Sequence, residues 1–508
     1  MKKLFIYAGL FSILMLGALG CKKFLTTEVV GDYPDTEFYK TEQQAIFAIN
    51  AAYQPLNFTS TSQNRLWVFG DVASDDAEKG GDPGDQADID LIDQFNVSPI
   101  NGNLANEWGT LYEGISRCNI VLARVPPIPM DETKKAAILA QARFLRSWYY
   151  FTLVNIFGDV PVILEPKNAD QLQIPQTSAS IIFESVIEAD LKLAMGNLPA
   201  SYTGADVGRV TSGAATALLA KAYLFQSKWD SAAATAGIVI SSGQYGLMSL
   251  YSQNFSADFK NNKESVFEVQ HLSNQVPATG NSLNQWFAPR IDGGYGFNAP
   301  TQSFVDEFEI TTSGVYDPRL DYTIGRDSTR WFNGETFSKT WSPTGYLTRK
   351  HQQPFSEIPI NLKGDASIDY VVIRYADVLL WYAEALNEIG RGPEAIIPVN
   401  QVRKRARESY LYDDSLVQFQ IDTATHLGTI PTGLLPDIFY TDQATLRGQI
   451  QHERRVELGF EFHRYFDIIR WGEAYATKAM SGSPNFNYNT DKYFPIPQGE
   501  RDTNKALH

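Results

Sequence analysis

The sequence predicts a mostly α-helical protein of stacked antiparallel helix pairs, with one large irregular insertion and few short strands. Three observations carry this. Apolar residues recur at spacings of three and four over long stretches near both ends of the chain. Between residues 57 and 103, and again between 244 and 370, the period breaks down and Gly, Pro, Asn, Asp and Ser accumulate. Two helix pairs share a period: Ala220 and Tyr223 lead to Trp229 and Ala232, and Ala383 and Leu386 lead to Gly392 and Ala395. Each sets two small residues 12 positions apart across a tight turn, the tetratricopeptide arrangement, in which small side chains let helices approach closely. One such repeat cannot bury its faces alone, so stacking is expected.

The elements follow in order. Lys2 and Lys3 precede a nearly unbroken apolar run, Leu4 to Leu19. As a helix that run is about 24 Å long, shorter than a bilayer span needs, and it reads as the apolar region of a signal peptide over residues 1–20. Ala18-Leu19-Gly20-Cys21 resembles a bacterial lipobox, although Ala18 stands where an aliphatic residue is usual. Cys21 is the predicted lipidation site, and several acyl chains on one residue anchor firmly. Residues 21–40 read as a lipidated tether. Thr41 with Gln44 forms a capping box.

Helices are expected at 42–56, 104–125, 132–157, 178–197, 212–227, 230–242, 371–390, 393–408, 442–460 and 463–478, and a strand at Ser265–Val269. The organisation is a helical region at 41–243, an irregular insertion with candidate ligand loops at 244–370, and further pairs with a closing segment at 371–508. In the helix 371–390, Val371, Tyr375, Val378, Tyr382, Ala385 and Ile389 share one face, while Arg374, Asp377, Trp381, Glu384 and Glu388 lie opposite. The pairs 132–157 with 178–197 and 442–460 with 463–478 have suitable lengths but poorer matches to the repeat.

Charge and composition exclude some functions. The formal charge is −15, and −17 once Lys2 and Lys3 leave with the signal peptide. An acidic surface argues against nucleic acid and against adsorption to anionic lipid. With Cys21 lipidated, Cys118 has no intrachain partner and is expected in the core. The six histidines, His271, His351, His426, His452, His463 and His508, include no metal-binding spacing, so no zinc or other metal and no cofactor is predicted. Neither a nucleophile elbow nor a phosphate-binding loop is present.

Several segments together resemble one family. Cys21-Lys-Lys-Phe-Leu25, Ala142-Arg-Phe-Leu-Arg-Ser-Trp-Tyr-Tyr-Phe151 with Phe157-Gly-Asp-Val-Pro161, and Arg209-Val-Thr-Ser-Gly-Ala-Ala215 through Leu224 stand in order. Ile373-Arg-Tyr-Ala-Asp-Val-Leu-Leu380 through Asn387, Val399-Asn-Gln-Val-Arg403, Glu453-Arg-Arg455 through Trp471, and Tyr493-Phe-Pro-Ile-Pro-Gln498 follow. This series resembles the SusD/RagB outer-membrane lipoproteins. The sequence departs from them in Thr26-Thr27-Glu28, which lacks a proline, in Phe462, where glycine is common, and in a tail without an Asn-Pro pair. The resemblance implies a non-enzymatic protein on the outer face of the outer membrane. It implies capture of glycans, or in some members peptides, and a SusC-like TonB-dependent transporter as partner. A surface glycoside hydrolase and a purely protein-binding helical adaptor are the competing classes.

Glu453 and Glu457 lie on the apolar face of helix 442–460, which raises acid/base chemistry or metal ligation. Arginine pairing is the cheaper solution for buried carboxylates, with Arg454, Arg455, Arg464 and Arg470 nearby and Arg143 and Arg146 on another helix. Asp71, Asp75, Asp76, Glu78, Asp82, Asp85, Asp88 and Asp90 read as a solvated acidic loop rather than a calcium loop. Sugar binding needs flat rings with amides and carboxylates alongside. Trp67, Trp286, Tyr295, Trp331 and Trp341 are the candidate rings, with Asp76 and Asn284 as hydrogen-bonding groups, chosen because family members tend to build sites from these loops. Trp108, Trp148, Trp229, Trp381 and Trp471 fall in helices and are expected in the core.

Overall fold

The computed structural model describes residues 38–56, 66–276, 278–332, 335–359, 362–412 and 428–507. The expected signal peptide, Cys21, most of the expected tether, His426 and His508 lie outside them.

Helices occur where polar caps meet apolar periodicity. Helix α1 (Glu42–Tyr53) opens with the expected capping box, Thr41 accepting from the Gln44 amide at 3.3 Å and Gln44 returning to the Thr41 amide at 3.1 Å. Asn101, Asp131 and Thr211 likewise cap α2 (Gly102–Arg124), α3 (Glu132–Phe157) and, after α4 (Ala189–Met195), α5 (Ser212–Phe225). Helices α6 (Trp229–Ser241), α7 (Tyr375–Glu388) and α8 (Gly392–Tyr412) continue the series.

Each of these helices packs on the next, from α1 through α8. The seam between α6 and α7 closes the array across the 133 intervening residues 242–374. The insertion therefore loops out of a continuous helical stack, and one apolar core runs from Ala45 to Leu507. Ala220 and Ala232, and Ala383 and Ala395, are buried at the α5/α6 and α7/α8 contacts, where the shared period placed them. Cys118 is buried in this core, and burial pushes its thiol well above the usual range. Trp108, Trp148 and Trp381 are buried; Trp229 and Trp471 are half-buried.

Three elements differ from expectation. Residues Tyr370–Arg374 are not helix but a strand, paired antiparallel with the expected strand Ser265–Val269. The run Val371-Val372-Ile373 is β-branched and buried, which suits a strand better than the start of a helix. Helix α7 then buries both faces, Trp381, Asp377 and Glu384 included, because α6 and α9 (Gln443–Leu458) pack on it. The stretch 178–197 is interrupted by a π turn at Phe183–Glu188. The stretch 463–478 divides into α10 (Arg464–Arg470) and Glu473–Ala479, where Gly472 takes φ +92°. It does not close on α9 as a further repeat. Helix α9 crosses α7 and α8, and α10 packs on the π turn Val68–Val72.

Buried charge holds α9 in place. Arg319 binds Asp317 at 2.7 Å, Glu453 at 2.6 Å and Glu457 at 2.9 Å. Arg374 binds Glu264 at 2.9 Å, Glu457 at 2.5 Å and Glu461 at 2.7 Å. Arg405 joins Glu264 to Glu457, Arg403 reaches Glu453 at 3.0 Å, and the Lys350 ammonium lies 2.8 Å from Glu461. Burial alone would raise Glu461, but Arg374 and Lys350 outweigh it and hold the carboxyl at about 2. Glu457 is held still lower by Arg405, Arg374 and Arg319 against the same opposing burial. So Glu453 and Glu457 are ion-paired, as expected, but by arginines from other segments. Arg143 and Arg146 bind Asp190, Arg454 binds Asp377 and Asp467, and Arg470 binds Glu384 and Asp467.

The remaining two local arginines reach the acidic loop. Arg455 lies 2.7 Å from Asp76 and Arg464 2.7 Å from Asp75, and Asp71 accepts from the Phe462 amide at 3.2 Å. Asp71 and Asp76 are therefore buried anchors, not part of a solvated loop. Phe462 itself takes φ +69°, the conformation that a glycine there would adopt freely, and its ring stacks on His351 and Tyr370.

Candidate ligand-binding surface

Two short strands carry the surface. Strand β1 (Ala77–Gly80) pairs antiparallel with β2 (Phe297–Pro300), Gly80 opposite Phe297. The loops beyond this end, 81–86 and 290–296, therefore emerge side by side. Gly81 takes φ +66°, and a Cβ there would come within 2.7 Å of the Phe297 ring. Only glycine permits this crossing.

Beneath the loops the rings form a column. Trp67 stacks on Phe297 at 6.0 Å and 15°, and Phe297 stacks on Tyr295 at 5.7 Å and 11°. Trp286 meets Trp67 and Phe297 from the side, at 5.6 and 5.9 Å. Tyr295 ends the column, 38% exposed. The Arg290 guanidinium lies over its ring, 5.3 Å from the centroid. Arg290 is tethered by Asp82 at 3.2 Å and by Asp85. Lys79 fixes the acidic loop: its ammonium donates to the carbonyls of Asp82 and Asp85 at 3.3 and 2.8 Å and pairs with Asp90 at 3.1 Å. The loop's carbonyls are thus turned onto a lysine. Among the described residues, no group of three His, Cys, Asp or Glu side chains is placed to hold a metal ion.

A second ring cluster adjoins the first. Trp331, Phe337 and Leu347 are buried together, with Trp341 half-buried against them. Trp331 donates from its indole nitrogen to Asp292 at 3.1 Å, in the turn that precedes Tyr295.

Of the predicted site residues, Tyr295 and Trp341 present a ring at the surface. Trp67, Trp286 and Trp331 pack under their loops, because each finds other aromatic faces there. Asn284 is buried and bonds the Lys363 carbonyl and the Gln353 amide, which makes it a scaffold group. Asp76 is the buried partner of Arg455. These five present no ligand surface in this structure. Arg290 and Phe297 were missed by sequence reasoning. The Gly293-Gly294-Tyr295-Gly296 run was the available signal, since clustered glycines mark a tight turn that lifts Tyr295 outward.

Residues 263–508 match the family model described as the SusD family, and residues 32–224 match one described as starch-binding and associating with the outer membrane. The chain belongs to the SusD family. Its helical stack is the fold of that family, and the matches span both sides of the insertion's start. Among SusD-family relatives, "SusD-like protein P2" of Formosa agariphila is 29% identical and the alignment covers 99% of this chain and 98% of that protein. A solved "laminarin binding SusD-like protein" is 28% identical with a TM-score of 0.76, covering 92% of this chain and 99% of that one. Surface glycan-binding protein A from Bacteroides fluxus is 26% identical with a TM-score of 0.72, covering 91% of this chain and 97% of that one.

Proposed function

We propose that this protein is a cell-surface nutrient-binding lipoprotein that captures a glycan and passes it to a SusC-like TonB-dependent transporter. Lipid on Cys21 holds it at the outer membrane, facing the exterior. The observation that carries the reading is Tyr295: an exposed ring at the end of a rigid aromatic column, with Arg290, Asp82 and Asp85 beside it. A pyranose offers a flat C–H face to such a ring and hydroxyls to such charges, and the column below prevents the ring from tilting away. The sugar replaces the Arg290 guanidinium over Tyr295, and the guanidinium keeps its carboxylate anchors and donates to hydroxyls.

The protein binds without turnover. Glu453 and Glu457, the carboxylates with the most enzyme-like placement, are buried and consumed by arginines. The laminarin binding named for one solved relative and the glycan binding named for another support a carbohydrate over a peptide.

Calorimetric titration with a glycan and peptide panel tests the reading. Glycan binding that Tyr295→Ala weakens is expected; peptide binding alone, or release of new reducing ends during incubation, overturns it. Incorporation of labelled palmitate that Cys21→Ala abolishes tests the anchor. Recovery of a barrel-sized transporter with the gently extracted lipoprotein tests the partner.

A further inference from the structure

Clefts lie away from the Tyr295 ring as well as beside the helices. A cleft of about 410 Å³ lies between the turn before α5 and the segment 261–268. It shares the wall Val207-Gly208-Arg209, with Phe267 and Glu268, with a second cleft of about 330 Å³ that reaches Asn50 and Tyr53 on α1. In the other direction it shares Asn262 and Lys263 with an open cleft against Met248–Gln253. That one shares Leu250 and Gln253 with a further cleft of about 400 Å³, which ends at Gln353 and Glu357. Shared lining residues link the four clefts in series as a segmented groove, and none of them is lined by Tyr295, Arg290, Asp82 or Asp85.

The lining repeats one chemistry along its length. Rings alternate with uncharged amides: Tyr53 with Asn50, Tyr245 with Gln244, Phe255 with Gln253. The charged side chains balance, with Arg209, Lys263 and Arg349 against Asp258, Glu268 and Glu357. Arg209 is held by Asp206 at 2.7 Å and Asn50 at 2.8 Å, and the Glu268 carboxylate accepts from the Asn261 amide at 2.5 Å. The backbone opens the groove at Gly208, where φ is +95° and a Cβ would come within 2.6 Å of the Gln270 side chain. The Tyr202 ring adds a further aromatic face to the central cleft.

We propose that this groove is a second binding site, taking an extended, uncharged oligosaccharide chain alongside the Tyr295 surface. A string of linked clefts suits a linear polymer rather than one sugar. Rings and amides suit pyranose faces and hydroxyls, and a lining whose charges balance offers no net attraction to a strongly anionic polymer. The inference extends the glycan reading of the protein, but it stands on different residues.

The test uses purified full-length protein and neutral linear glucans, β-1,3-, β-1,4- and α-1,4-linked, each as a short and a long oligosaccharide. Calorimetry is run on wild type, Tyr295→Ala, Val207→Trp and the double variant. Val207 is exposed at the wall between two of the clefts, so tryptophan there blocks the groove without disturbing the core. Equal melting temperatures establish that each variant is folded. The expected result is residual binding in Tyr295→Ala that favours long chains and weakens about tenfold or more in the double variant. Loss of all binding in Tyr295→Ala overturns the groove but leaves the glycan reading standing. Residual binding unchanged by Val207→Trp overturns it too, as does a groove that takes only charged peptides. Absence of glycan binding in the wild type defeats the broader reading as well as this one.

Discussion

The charges around α9 and those around Tyr295 are the same residue types in opposite settings. Around α9, Arg319, Lys350, Arg374, Arg403 and Arg405 face Glu264, Asp317, Glu453, Glu457 and Glu461, and all are buried. Around Tyr295, Arg290, Asp82 and Asp85 remain in reach of solvent. A charge removed from water must be fully paired, so the buried set is locked and serves the fold. Charges at the surface keep their hydration and can exchange partners, which a ligand requires. Enzyme-like residues in sequence thus became scaffold, and a loop of unremarkable acids became the candidate site.

Substitutions in the two regions should separate stability from binding. The largest effect is expected for Glu457→Gln, which leaves Arg319, Arg374 and Arg405 without their shared carboxylate. Breaking such a buried set costs about 3–5 kcal/mol, read as a fall in melting temperature or in soluble yield. Glu453→Gln should act in the same direction and lower the melting temperature more than glycan affinity. An affinity loss with unchanged melting temperature for either variant would place α9 in the binding site and erase the contrast. Next in size, Tyr295→Ala should weaken glycan binding by about 2 kcal/mol, roughly thirtyfold, with little change in melting temperature.

Acid sharpens the comparison further. Glu461, Glu307 and Glu309 are held at about 2, against an ordinary 4.5. A carboxylate depressed on folding stabilises the protein above its unfolded value and loses that contribution as pH falls toward its folded value. Stability should therefore decline from about pH 4.5 toward 2. His452 runs the other way: burial lowers it, but Glu307 and Glu309 outweigh burial and raise it to about 9 from 6.5. Its contribution is complete below 6.5 and lost as pH rises through 9. Melting curves should fall as pH drops from 4.5 toward 2, and flat stability down to pH 2 would contradict the locked network. The smallest effect is expected for Asp82→Asn, under about 0.5 kcal/mol in stability, because this partner of Arg290 is exposed. Its influence should appear in affinity, as a change smaller than that of Tyr295→Ala.

Much of the scaffold was legible before any coordinates. Helix ends are written locally, in Thr41 with Gln44 or in Thr211 before its alanine-rich helix. The small residues Ala220, Ala232, Ala383 and Ala395 announced the pairs because close helix approach demands them. The strand at Tyr370 was hidden because its alternation overlaps the helical period that begins at Tyr375. The candidate site was legible only in part. A tryptophan in a loop reads alike whether it faces a ligand or packs beneath it, and Trp67 and Trp286 found partners in Phe297.

By itself the sequence determined the helices, their caps, the antiparallel pairs and the family they resemble, since these depend on neighbours a few positions away. Only the tertiary structure decided which arginine meets which carboxylate. Arg319 and Glu453 stand 134 positions apart, and no local rule joins them. It also decided that Tyr295 surfaces while Trp67 does not. Burial is set by what the rest of the chain brings against a residue, and that information is spread over contacts between segments distant in sequence.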